Sequence, residues 1–213
     1  MYFQPMTDEI ERLASIQFGA IGRSQLLRLG LSDRQIERRL ATGRIMTLAR
    51  SVYAMRSSRP SWEREVLGAW LVTNERRHAG ILALSTAAAL HGLAGYPRSG
   101  RPMLIALNGD RHPNALGTVM RRVDLEAADI ETHSSGAHIT TRVRTVLDLA
   151  MADGRVGRAE QIVDNALRQG LVTIDELWGR FDRLSNRGKP GTTHVRRVLR
   201  VRGERAVVLA QAS

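Results

Sequence analysis

Gly30-Leu31-Ser32-Asp33-Arg34-Gln35-Ile36-Glu37-Arg38-Arg39-Leu40-Ala41-Thr42-Gly43, residues 30–43, is the stretch that decides how the chain starts to fold. Gly30-Leu31 reads as a tight turn. Ser32 then opens a helix, and Ser32-x-x-Gln35 has the spacing of a capping box. Ile36 and Leu40 lie four apart, so they share an inward face. Arg34 and Arg38 form one outward row, Gln35 and Arg39 an adjacent one. Gly43 is placed to end the helix. On the N-terminal side, a short helix is predicted from Arg23 to Leu29, carrying Leu26, Leu27 and Leu29. Before it, Thr7 can cap a first helix, with Asp8 and Glu9 in its first turn and Ile10, Leu13 and Ala14 on one face. Gly19 and Gly22 read as breaks after it. On the C-terminal side, Ile45–Leu48 and Ser51–Met55 read as two short strands around Ala49-Arg50. The order is helix, helix, turn, helix, hairpin, which predicts a winged helix-turn-helix over residues 6–58.

That order gives the arginines a task. In a helix-turn-helix the second motif helix enters the major groove of DNA. Arg34 and Arg38 can take guanine O6 and N7, and Gln35 can take adenine N6 and N7. A Gln35 held in the capping box with Ser32 is not free to read a base, so the arginines are the stronger candidates. Arg39 lies beside them. Arg44 and Arg50 flank or tip the hairpin, where a basic wing meets phosphate or the minor groove. Arg23 and Arg28 are placed to clamp backbone from the second helix.

Charge supports a polyanionic partner. The net charge is +11, and all basic residues except Lys189 are arginine. Residues 6–60 hold 10 arginines against 5 acids, residues 61–140 balance at 8 and 8, and residues 141–213 hold 14 basic residues against 8 acids. The molecule thus reads as two basic ends around a neutral middle. The absence of cysteine removes disulfides and Cys-based metal sites and fits a reducing cytoplasm. No apolar run approaches the roughly 20 residues that span a bilayer, and no secretory pattern opens the chain. Met1-Tyr2-Phe3-Gln4-Pro5 reads as the remnant of an expression tag, with Met6 as the natural start. Membrane attachment is not expected.

Beyond the hairpin, Arg56–Pro60 is the best linker candidate. A helix is predicted from Trp62 to Asn74 and another, capped by Ser85, from Thr86 to His91. Strands are predicted at Met103–Leu107, Thr118–Val123, Ile130–His133 and Ile139–Thr141. Helices follow at Arg144–Ala152, Arg158–Gln169, Ile174–Leu184 and Thr192–Val201. The fold class expected is α+β: a winged helix-turn-helix, then a mixed domain over residues 61–213 with a small β-sheet and a helical C-terminal part. Arg187, Lys189, Arg196, Arg197, Arg200 and Arg202 make a second basic surface, for DNA or for an acidic partner.

Enzyme readings find little support. A nuclease needs carboxylates for Mg²⁺ and usually a lysine that orients water, but the sole lysine lies in a Gly/Pro loop. His133 and His138, five apart, are the one tempting metal pair, with no third ligand at a useful spacing. Ser134-Ser135-Gly136 lacks the Gly-x-Ser-x-Gly elbow, and no Walker loop occurs. Trp62, Trp70 and Trp178 sit in helical patterns and suit core packing. No enzymatic activity, metal or cofactor is expected.

Residues 7–54 resemble the N-terminal winged helix of the AbiEi family, antitoxins of bacterial type IV toxin–antitoxin systems. The matching segments are Gly19-Ala20-Ile21-Gly22-Arg23-Ser24-Gln25-Leu26-Leu27, Gly30-Leu31-Ser32, Ile36-Glu37-Arg38-Arg39-Leu40, Gly43-Arg44-Ile45 and Ser51-Val52-Tyr53-Ala54. Leu84–Leu93 and Thr141–Ala150 are similar to the domain that often follows, so the resemblance reaches about residue 200. It implies a repressor that binds inverted repeats at its own promoter, together with neutralisation of a nucleotidyltransferase-type toxin by the C-terminal domain. Two departures stand out. Ser51 takes a wing position where Gly is expected, and the chain ends after the basic helix where similar chains continue into a nuclease-like domain. Two other classes stay open at this stage: a single-function winged-helix regulator whose second domain senses a ligand or protein, and a nuclease-related protein without its catalytic part. A monomer and a dimer on DNA are equally compatible with the sequence.

Overall fold

A computed structural model describes residues 3–75, 80–106, 114–121, 125–152, 155–185 and 191–211. The chain forms two compact units: Met1–Leu82 with Arg98–Glu126 and Ile130–Ile139, and Ala83–Pro97 with Ala127–Asp129 and Thr140–Ser213. The fold is α+β, as the sequence predicts.

The first unit opens with α1 (Phe3–Ile16), β1 (Ala20–Gly22), α2 (Arg23–Arg28), α3 (Asp33–Ala41), β2 (Ile45–Ala49) and β3 (Val52–Met55). The strands form an antiparallel sheet in the order β1-β3-β2. This is a winged helix-turn-helix. Its core is Ile10, Ile21, Leu26, Leu31, Ile36, Ile45 and Tyr53, with Leu13, Leu29, Leu40 and Met55 packed against it. Each such aliphatic side chain contributes about 1.5–3 kcal/mol when fully buried, so the inward stripe of α3 holds the outward arginines in place. Helix α4 (Trp62–Glu75) follows in the same unit, packed on β1 and β3. A second sheet has the order β6-β5-β4-β8-β7, with β4 (Gly80–Leu82), β5 (Met103–Ala106), β6 (Thr118–Arg121), β7 (Ile130–Thr132) and β8 (His138–Thr140). Strand β4 pairs antiparallel with β5 and parallel with β8.

The second unit is helical: α5 (Leu84–Leu90), a 3₁₀ turn at Ala127–Asp129, α6 (Arg142–Ala152), α7 (Val156–Arg168), α8 (Ile174–Ser185) and α9 (Thr192–Gln211). Helix α6 buries nearly all its length, including Arg144 and Asp148.

Several sequence expectations are corrected. Thr7 does not stand at the start of the first helix, because α1 already runs through it from Phe3; Pro5 suits that first turn, where an amide hydrogen has no partner to lose. The first helix does end before Gly19, but residues 20–22 between the two helices form a strand that the sequence reading leaves out. All three are buried, so the alternation that marks a half-exposed strand is absent. The three buried residues of β4 escape detection for the same reason. Ser85 is exposed inside α5, whose N-cap is the extended Ala83. Helix α9 continues past Val201 to Gln211, since neither a proline nor a turn sequence stops it there.

Ser51 occupies the wing turn at φ 63°. Its carbonyl accepts a hydrogen bond of 2.8 Å from the Arg23 amide at the start of α2. A left-handed conformation costs a non-glycine residue roughly 1–2 kcal/mol. Ser51→Gly is therefore expected to raise thermal stability by under about 1 kcal/mol after the entropy of glycine in the unfolded chain is discounted. Thermal melting would show it, and a lower melting temperature would mean that the Ser51 side chain makes its own contribution to the turn.

Candidate nucleic-acid interface

The helix-turn-helix is held by backbone chemistry that the sequence signals directly. At the end of α2, the Gly30 amide donates to Leu27 O at 3.0 Å and the Leu31 amide to Leu26 O at 3.1 Å. This is the Schellman pattern, and it needs the left-handed φ of 93° that Gly30 adopts. Leu26 and Leu31 bury together beneath it. Next, the Ser32 amide donates to Gln35 Oε1 at 2.7 Å while the Gln35 amide donates to Ser32 Oγ at 3.4 Å. The capping box is present, so the polar groups of Ser32 and Gln35 serve the start of α3. Helix α2 repeats half of this device, with the Gly22 amide donating to Gln25 Oε1 at 2.9 Å.

The proposed DNA contacts then separate by environment. The side chains of Arg34 and Arg38 are exposed on α3 and make no hydrogen bond or ion pair with another described residue. Arg39 is half-buried along the same helix. The side chains of Arg28, Arg44 and Arg50 are exposed and likewise unpaired among the described residues, Arg28 at the end of α2, Arg44 before β2 and Arg50 in the wing turn. Arg23 differs, because its guanidinium donates to Asp33 at the first turn of α3. That pair ties the two motif helices together and neutralises an acid at the start of α3. Arg56 is a candidate that sequence reasoning passed over as linker. Its amide donates to Arg44 O at 3.1 Å, so it continues the ladder of β2 and β3 beside Arg44. The register of the hairpin carries that signal, but a bulge between Thr47 and Ala49 hides it.

The second basic surface is less uniform than its sequence. Arg196, Arg197 and Arg200 are exposed on α9. Arg196 lies over the Phe181 ring at 5.7 Å, and Arg200 is 3.8 Å from Glu204. Arg202 instead makes two 2.7 Å bonds to Asp164 on α7, and those bonds raise its pKa above the usual arginine value. It is a packing residue of the helical unit. Arg187 and Lys189 lie outside the described residues.

Among the described residues His133 and His138 have separate surroundings. His133 Nδ1 lies 2.9 Å from Ser135 Oγ, and the His138 ring meets Trp70 edge-on at 6.3 Å. Among the described residues no group of three His, Asp or Glu side chains could hold a metal ion.

Residues 8–56 match the family model described as "Transcriptional regulator, AbiEi antitoxin". The AbiEi match begins within α1 and ends just after β3, so it covers the winged helix-turn-helix with Arg23, Arg28, Arg34, Arg38, Arg44, Arg50 and Arg56. The fold is similar to that of the RV2827C protein from Mycobacterium tuberculosis, known from a crystal structure. That similarity covers 91% of this chain and 75% of that one, with a TM-score of 0.57 and 16% identity. No curated protein matches the chain. Among the described residues no helix is long and apolar enough to cross a membrane.

Proposed function

We propose that this protein is a DNA-binding antitoxin of a type IV toxin–antitoxin system that represses its own promoter. The winged helix over residues 6–58 binds inverted repeats in double-stranded operator DNA. Residues 61–213 engage and neutralise a nucleotidyltransferase-type toxin. The protein works in the cytoplasm by binding, without a catalytic step or a cofactor. The observation that carries the reading is the pair Arg34 and Arg38, whose side chains are exposed and without a partner among the described residues on a doubly capped α3 within an AbiEi-type segment. An arginine with no partner in its own chain keeps its planar fork for guanine or phosphate. Arg44, Arg50 and Arg56 extend the positive surface onto the wing. Arg196, Arg197 and Arg200 offer a second surface for DNA or for the toxin.

The test is an anisotropy titration of the DNA upstream of the protein's own gene against random DNA, at two salt concentrations. Preference for the upstream DNA by about a thousandfold or more is expected, within the usual range for specific regulators. Equal and steeply salt-dependent binding to both sequences would reduce the arginines to counterion release and overturn the operator reading.

A further inference from the structure

We infer that Glu75, outside the winged helix, is a positioning residue for operator reading because its carboxylate clamps the first motif helix. The inference rests on the operator reading above. Glu75 ends α4, and both of its oxygens reach α2. The Ser24 amide donates to Glu75 Oε1 at 2.9 Å and to Oε2 at 3.1 Å, while Ser24 Oγ donates to Oε1 at 2.6 Å. A six-residue helix such as α2 has almost as many open amides as internal bonds. Here each of the first three is assigned. The Gly22 amide goes to Gln25, the Arg23 amide to the Ser51 carbonyl of the wing, and the Ser24 amide to Glu75. Two of the three bonds therefore come from outside the helix. They fix α2 to the wing and to α4.

The fit is close. A Cβ at Gly22 would stand 2.3 Å from Glu75 Oε1 and 3.4 Å from Leu71, so a side chain there would make the carboxylate shift from this position. The other end of α4 grips the same module. Buried Arg64 donates from Nη1 to Ser58 O at 3.2 Å, just beyond β3. Helix α4 thus holds the winged helix at two points, Arg64 and Glu75, near its opposite ends, and Glu75 is the point nearest the turn into α3. Since α3 follows α2 through the rigid Gly30 turn, the orientation of Arg34 and Arg38 depends on this carboxylate. A negative charge at the start of a helix also suits its dipole.

The test uses the full chain with Glu75→Ala, Glu75→Gln and Ser24→Ala. It reads affinity for upstream and random DNA, and amide hydrogen exchange across residues 23–29. Glu75→Ala is expected to lower affinity for the upstream DNA about tenfold, the loss of one charge-assisted bond to the backbone, while random DNA changes less than about twofold. Exchange in α2 should rise and the centre of α4 should stay protected. Glu75→Gln keeps an acceptor for the Ser24 amide and should restore most of the discrimination. Ser24→Ala removes only the hydroxyl bond and should fall between. Tighter binding of both DNAs by Glu75→Ala and Glu75→Gln alike would make Glu75 a mere repelling charge and overturn the inference. Unchanged discrimination and unchanged exchange in Glu75→Ala would overturn it too. If the unmodified chain shows no preference for its upstream DNA, the operator reading and positioning for it both fail, and rising exchange in α2 would leave Glu75 a stabilising cap only.

Discussion

Replacing Arg34 and Arg38 together by Ala is expected to abolish most sequence preference while leaving the fold intact. Both side chains are exposed and make no bond with another described residue. Alanine is the best helix former, so α3 loses nothing by the exchange. Each bidentate pairing of arginine with guanine is worth about 1–3 kcal/mol of discrimination. Removing two such pairings costs about 2–6 kcal/mol, roughly thirtyfold to twenty-thousandfold in the ratio of operator to random affinity. The two residues sit one turn apart on the same row, so their effects need not add. Titrating each single variant and the double on both DNAs at two salt concentrations would separate the roles. A base-reading arginine changes the ratio; an arginine on phosphate weakens both DNAs alike and reduces the salt slope by about one. Should both single variants behave in the second way, α3 would be lying against the backbone, and base reading would have to come from elsewhere on the module.

Those residues could be chosen because the helix-turn-helix is written locally. Gly30, Ser32, Gln35 and Gly43 each solve a problem of an open amide or carbonyl close to themselves in sequence, and such solutions leave fixed spacings. The observed α3, Asp33–Ala41, differs from the expectation by one residue. The wing was legible too, but its register was not. The bulge after Thr47 and the left-handed Ser51 place Arg56 beside Arg44, and neither follows from residue type. What stayed hidden was non-local. Glu75 and Ser24 are 51 positions apart, and nothing in either residue's neighbourhood points to the other. The three-residue strands β1 and β4 are buried on both faces, so they show no period. Charge had the opposite weakness. The C-terminal run of arginines reads as one surface, yet Arg202 is bound to Asp164 and turned to packing. Composition registers a charge but not whether it is already paired.

Asp129 gives the largest expected effect on stability, and no motif marks it. Three charged side chains converge with it in the helical unit, all nearly excluded from water: Arg144 at 0%, Asp148 at 0% and Arg180 at 9% exposure, with Asp129 itself at 1%. Arg180 embraces Asp129 in a bidentate fork, Nε to Oδ1 at 2.7 Å and Nη2 to Oδ2 at 2.6 Å. Arg144 donates from Nη1 to the same Oδ2 at 2.8 Å, and its Nε lies 3.0 Å from Asp148. Among the described residues two cations and two anions meet here, and the 3₁₀ turn is joined through them to α6 and α8. Burying ions is costly, and the net worth of such a set against an apolar core is small. Breaking it is another matter. Asp129→Ala would take away the carboxylate that both buried guanidinium groups share, and removal of one member of a buried pair typically costs about 3–5 kcal/mol. That is a large share of the about 5–15 kcal/mol that holds a typical domain folded. Urea denaturation of the variant should show this loss, and hydrogen exchange should place it in α6 and α8. Asp182→Ala, at an exposed position on α8, is the control and should change stability by less than about 0.5 kcal/mol. Asp129→Asn separates charge from shape: it keeps an acceptor for one guanidinium but not the negative charge, and should recover less than half of the loss. A loss below about 1 kcal/mol in Asp129→Ala would mean that water reaches Arg144 and Arg180 readily once the carboxylate is gone, and that the set is not the lock that holds the 3₁₀ turn to the helices.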